Sequence, residues 1–172
     1  MHPDAVTWIG ALVTSAAALV CFPNGWLWQG ALIVAFGSLA DMLDGHMAAE
    51  RGPTRWGAFL DSSLDRVADA SILGGIAWWF GIHHSPVWAV LSIVGLVAAQ
   101  LTSYVRARAE AVDISAKSGW ITRADRVALC VLGTFLAGVG VPFALEITVA
   151  ILCVGGVATV IQRFREVRAQ LT

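Results

Sequence analysis

Apolar and polar residues alternate along this chain on the scale of whole helices. Six apolar stretches, residues 5–21, 26–40, 67–82, 87–105, 127–139 and 143–161, are separated by short polar or turn-forming segments. Several fall short of the roughly 20 residues that a membrane span requires, but each reaches that length once its amphipathic end is included. The pattern predicts an all-α, polytopic integral membrane protein with six transmembrane helices, in a single domain covering residues 1–172.

Composition supports this reading, and charge placement orients it. The chain is 58% hydrophobic and only 13% charged, with a mean hydropathy of +0.73, outside the range of ordinary soluble domains. Its 11 basic residues are Arg51, Arg55, Arg66, Arg106, Arg108, Lys117, Arg123, Arg126, Arg163, Arg165 and Arg168. They follow helices two, four and six or open helices three and five, whereas residues 22–25, 83–85 and 138–141 carry no Lys or Arg. The positive-inside rule therefore predicts a cell-membrane protein whose 2–3 loop, 4–5 loop and both ends face the cytoplasm. The net charge of −1 conceals this polarity, while the basic inner face suits anionic head groups and phosphates.

Other features are structural. Cys21, Cys130 and Cys153 have no paired spacing and read as small buried hydrophobes. Trp26, Trp28, Trp79 and Trp88 are expected near the outer interface, and Trp56 and Trp120 near the inner one. The opening Met-His-Pro-Asp lacks the positive region of a signal peptide, so the first helix is expected to be retained. His46 points off the Asp41–Asp44 face, and His83 and His84 lie at the opposite side of the membrane. Gly74-Gly75 and the run Gly133, Ala137, Gly138, Gly140 permit close helix packing.

The candidate chemistry lies in four carboxylates. Asp41 and Asp44 are three positions apart and Asp61 and Asp65 four, so each pair shares a helix face with Cβ atoms roughly 5–6 Å apart. A carboxylate at the edge of a membrane helix needs a cation or another partner. The short connection from Glu50 to Thr54, containing Gly52-Pro53, predicts that helices two and three are antiparallel neighbours with both pairs at one cytoplasmic depth. Oxygen-only ligands select a hard cation, and four carboxylates suit two divalent ions, about 3.5–4 Å apart, able to clamp the attacking and leaving oxygens of phosphoryl chemistry. Gly45 and Gly57 leave room beside them for a nucleotide or another helix. Asp69, one turn beyond Asp65, supports Arg66 or the metal site, with a structural role favoured.

These residues resemble the signature of the CDP-alcohol phosphotransferase family, D-x-x-D-G-x-x-A-R followed by G-x-x-x-D-x-x-x-D. It stands here as Asp41, Asp44, Gly45, Ala48, Gly57, Asp61 and Asp65. Within the family the likeness is greatest to actinobacterial phosphatidylinositol phosphate synthases, and it extends to Pro-Asp-Ala-Val-Thr at 3–7, Ser-Tyr-Val-Arg-Ala-Arg-Ala-Glu at 103–110 and Gln162-Arg163. The resemblance implies six membrane helices, a homodimer, and transfer of a phosphatidyl group from CDP-diacylglycerol to 1D-myo-inositol 3-phosphate with release of CMP. It implies Asp41, Asp44, Asp61 and Asp65 as ligands of two Mg²⁺ ions, or Mn²⁺, with Asp65 also acting as the base. It places CDP-diacylglycerol at Asp4, Ala5, Val6, Thr7, Gly45 and Thr54, and inositol phosphate at Arg106, Arg126 and Arg163, with Arg108 and Arg123 as secondary candidates. The polar donor-site residues also read as helix caps.

Three departures bear on activity. Ala49 stands where the family has arginine, the stretch from Ala49 to Gly57 is one residue shorter than usual, and the sequence opens at the Pro-Asp motif, which in similar synthases an amphipathic segment usually precedes. Arg51 is a candidate replacement for the missing charge. Alternatives are a related transferase using glycerol phosphate or an isoprenoid-lipid donor, a weakened homologue, or a divalent-cation transporter. The last is disfavoured because the acids gather at one membrane edge instead of the midplane.

Overall fold

The computed structural model describes the backbone of residues 3–51, 54–83 and 86–172, and the side chains of these apart from residues 3–4 and 40–51. Six helices follow one another: α1 (Pro3–Cys21), α2 (Leu27–Arg51), α3 (Arg55–His83), α4 (Pro86–Glu110), α5 (Arg123–Gly138) and α6 (Ala144–Leu171). No strand occurs among the described residues. The fold is all-helical. Among the described helices, α4 and α6 are each long and apolar enough to cross a membrane alone; Ala5–Cys21 and Leu27–Leu39 are shorter apolar stretches.

The outward faces of the long helices are as apolar as their inward ones. Val90, Ile93, Val97 and Leu101 on α4, and Ile147, Ile151, Val154 and Val157 on α6, are exposed. Phe22, Ile72, Ile76, Phe80, Leu145 and Val149 fill the interior. A helix apolar on every side suits a non-aqueous surround. Hydroxyls within these helices are satisfied locally: Thr102, Thr134, Thr148 and Thr159 each donate to the carbonyl four residues back, as a medium without water requires. Cys21, Cys130 and Cys153 are buried and unpaired, as expected.

The helices pack in the cyclic order α1, α3, α4, α6, α5, α2 and back to α1. Among the described residues α2 and α3 do not pack along each other, while the acidic end of α2, where the two are expected to meet, lies outside the described side chains. Among the described residues α1 stands between them, because small side chains let it in. A Cβ at Gly75 of α3 would strike the Ala18 carbonyl of α1, and one at Gly37 of α2 would strike the Thr14 side chain. The 2–3 connection joins helix ends without forcing contact along their lengths.

Two local devices set the end of the bundle where α5 begins. Thr122 and Asp125 form a capping box in which the Asp125 carboxylate accepts from the Thr122 amide at 2.9 Å and hydroxyl at 2.7 Å. That bond holds the Asp125 carboxyl below its ordinary range and fixes the start of α5, from which Arg123 and Arg126 project. The segment 111–122 is strapped to α6. The Trp120 and Ile121 amides donate to the Thr159 hydroxyl at 3.1 and 3.2 Å, the Ser118 amide donates to Glu166 at 3.0 Å, and Gln170 donates to the Ser115 carbonyl at 2.8 Å.

Candidate active site

Asp61, Asp65 and Asp69 succeed one another at four-residue spacing on α3, so they line one helical face at increasing depth. Asp61 is exposed and, among the described residues, makes no ion pair. The Asp65 side chain is 13% exposed and pairs with Arg123 at 2.5 Å. The Asp69 side chain is 2% exposed and accepts from Arg126, itself 7% exposed, at 2.5 Å. Arg123 reaches Asp69 at 3.7 Å with its Nε, and Arg66 reaches it at 4.0 Å. Two carboxylates and three guanidinium groups therefore interlock where α3 meets the start of α5.

Beside this cluster lies a narrow crevice, partly open to the outside, with free room for no more than about one water molecule. Gly10 and Thr14 of α1, Gly37 and Ser38 of α2, Asp65 of α3 and Arg123 of α5 line it. The opening exists because α1 and α2 present small residues there.

The arginines expected to hold the acceptor come from three helices. Arg106, at the end of α4, is exposed and pairs with Glu110 at 2.9 Å. Arg163 on α6 is buried; its Nε donates to the Ser118 carbonyl at 2.9 Å and its Nη1 to the Thr102 carbonyl at 2.7 Å. Arg108 is exposed on α4.

The donor-site candidates divide. Thr54 is exposed and accepts from the Gly57 amide at 2.9 Å, which makes it the cap of α3. Ala5, Val6 and Thr7 form the first turns of α1. The side chains of Asp4, Asp41, Asp44, Gly45, His46, Ala49 and Arg51 lie outside the described residues. Among the described residues no three His, Cys, Asp or Glu side chains gather to hold a metal. Asp61 and Asp65 still fit a hard divalent cation, because both are carboxylates on one face, with one of them open to the exterior. The multi-arginine embrace of Asp69 went unread in the sequence; the four-residue series 61, 65, 69 was its signal.

Carboxylates on one helix, arginines of α5 packed against them and a membrane-compatible scaffold fit an enzyme that handles phosphorylated substrates. The chain belongs to the CDP-alcohol phosphatidyltransferase family, whose pattern matches residues 1–161. It is 44% identical to the phosphatidylinositol phosphate synthase of Cutibacterium acnes, over 96% of this chain and 85% of that protein. It is 41% identical to the Mycolicibacterium smegmatis synthase, over 98% of this chain and 78% of that one. The crystal structure of the Mycobacterium tuberculosis synthase with CDP-DAG bound superposes with a TM-score of 0.92 at 38% identity, covering 97% of this chain and 86% of that one. The same enzyme in complex with manganese and citrate gives 0.93 at 38% identity, over 98% and 83%.

Proposed function

We propose that this chain transfers the phosphatidyl group of CDP-diacylglycerol to 1D-myo-inositol 3-phosphate, releasing CMP. The observation that supports the proposal is the meeting of the acidic face of α3 with Arg123 and Arg126 of α5. That pairing matches a reaction whose acceptor brings its own phosphate. Asp41, Asp44, Asp61 and Asp65 would hold two Mg²⁺ or Mn²⁺ ions, which supply positive charge to the diphosphate and acidify the attacking hydroxyl. Asp65 accepts the proton of that hydroxyl. Its oxygen forms the new bond to the lipid-bearing phosphorus, and the bond from that phosphorus to CMP breaks. Arg106, Arg126 and Arg163 attract the acceptor phosphate, for which a guanidinium fork is well shaped. Asp4, Ala5, Val6, Thr7, Gly45 and Thr54 bind the donor.

The six helices all span the cell membrane in this reading, with the active site on the cytoplasmic side and two copies forming a homodimer. Ala49, in place of the family arginine, favours a second reading as an enzyme with weakened donor binding. CMP release from CDP-diacylglycerol, measured with inositol phosphate against glycerol phosphate and with and without Mg²⁺, tests the proposal. Release only with inositol phosphate and Mg²⁺ is expected. Equal release with glycerol phosphate refutes the acceptor assignment, and no release with either supports an inactive homologue.

A further inference from the structure

Asp69 belongs neither to the four carboxylates of the metal signature nor to the arginines proposed to hold the acceptor, yet it is the most deeply buried charge in the cluster. Its two oxygens face different partners. Oδ2 accepts from Arg126 at 2.5 Å and lies 4.0 Å from Arg66, while Oδ1 lies 3.7 Å from the Arg123 Nε. The buried Nε atoms of Arg66, Arg123 and Arg126 have no hydrogen-bond partner among the described residues. Fixing a long guanidinium side chain costs rotamer entropy, and a carboxylate that has already fixed it removes that cost from ligand binding. A small hydrophobic pocket lined by Ile72, Leu73, Val127 and Cys130 adjoins the Asp69–Arg126 pair, so little else polar lies there to orient Arg126.

Resting on the function proposed above, we infer that Asp69 is a positioning residue for acceptor specificity: it holds the Arg126 fork in the orientation that receives the phosphate of the inositol substrate. It touches no reacting atom. Its effect passes through Arg126, with Arg66 and Arg123 as neighbours that balance its charge.

The test is a double-mutant cycle in nanodiscs, using wild type, Asp69→Asn, Arg126→Gln and the double variant, with CDP-diacylglycerol, inositol 3-phosphate and Mg²⁺. Asp69→Asn is expected to raise KM for inositol phosphate roughly tenfold, with KM for CDP-diacylglycerol and kcat held within about twofold, and to add nothing further in the Arg126→Gln background. Direct binding of inositol phosphate without metal should weaken in the same order. Should Asp69→Asn not fold, Arg126→Gln and the double variant, in which no buried charge of the pair is stranded, still decide the matter by having the same KM. Additive effects, or a KM for CDP-diacylglycerol that rises as much as that for the acceptor, overturn the inference and leave the function standing. A wild-type chain that releases no CMP with inositol phosphate overturns both.

Discussion

Replacing Arg163 with Met should loosen the 111–122 segment on α6. The substitution keeps most of the apolar stem and deletes two hydrogen bonds from a charged donor, to the Ser118 and Thr102 carbonyls. Bonds of this kind contribute roughly 1.5–3 kcal/mol each. The Ser118 bond alone crosses to the segment, and its acceptor is not stranded because Ser118 is exposed, so the lower end, about 1.5 kcal/mol, applies to opening. At about 1.4 kcal/mol per decade, the opened population of the segment rises roughly tenfold. Lys117 sits on this strap, exposed, and trypsin reports its opening. Where opening and closing are fast relative to cleavage, the rate of cutting follows that population. Mass spectrometry of the fragments assigns the cut to the Lys117–Ser118 bond. Cleavage of the Arg163→Met variant there at the wild-type rate would refute the claim that Arg163 anchors the strap, and Arg163 would then be a ligand for substrate alone.

Asp65→Asn should lower kcat by about 100-fold to 10,000-fold while retaining CDP-diacylglycerol binding, as removal of a general base does; paired turnover and donor-binding measurements check this. Ala49→Arg should lower KM for CDP-diacylglycerol about tenfold by adding a charge-assisted bond. If Arg51 now supplies that charge, Arg51→Ala should weaken donor binding; unchanged binding in Arg51→Ala beside a gain in Ala49→Arg disproves the substitution of one for the other. Hydrogen bonds from the Ser118 hydroxyl and amide hold the Glu166 carboxyl below its ordinary value of 4.5. The tether is therefore complete above 4.5 and fails as pH falls through the depressed folded value, which amide exchange at Ser118 should report as lost protection, absent in Glu166→Gln. Gly75→Leu should cost about 1–3 kcal/mol by driving a side chain into the Ala18 backbone, read as a lower midpoint in thermal unfolding.

Much of this arrangement was legible from side-chain pattern alone. The apolar runs located all six helices, although α3 begins at Arg55, well before its apolar run at 67, because its first turns carry the polar residues of the site. The Thr122–Asp125 box and the Thr54 cap are local signals, and each stands where local chemistry puts it. The insertion of α1 between α2 and α3 was not legible, because it depends on three helices having small residues at matching heights. Arg126 reads in the sequence as a candidate for binding the acceptor phosphate, and only the packing of α5 on α3 delivers it to Asp69. Arg163 was harder still: its partners are backbone carbonyls, which leave no mark on residue identity.

The position of α1 bears on biogenesis. Of these six helices it leaves the ribosome first, so the helix that stands between the described parts of α2 and α3 is available before either of them. The arginines of α5 arrive later and meet an acidic wall on α3 that has already been laid down. Delaying α1, by moving it to the other end of the chain, should therefore let α2 and α3 collapse onto each other before it can insert.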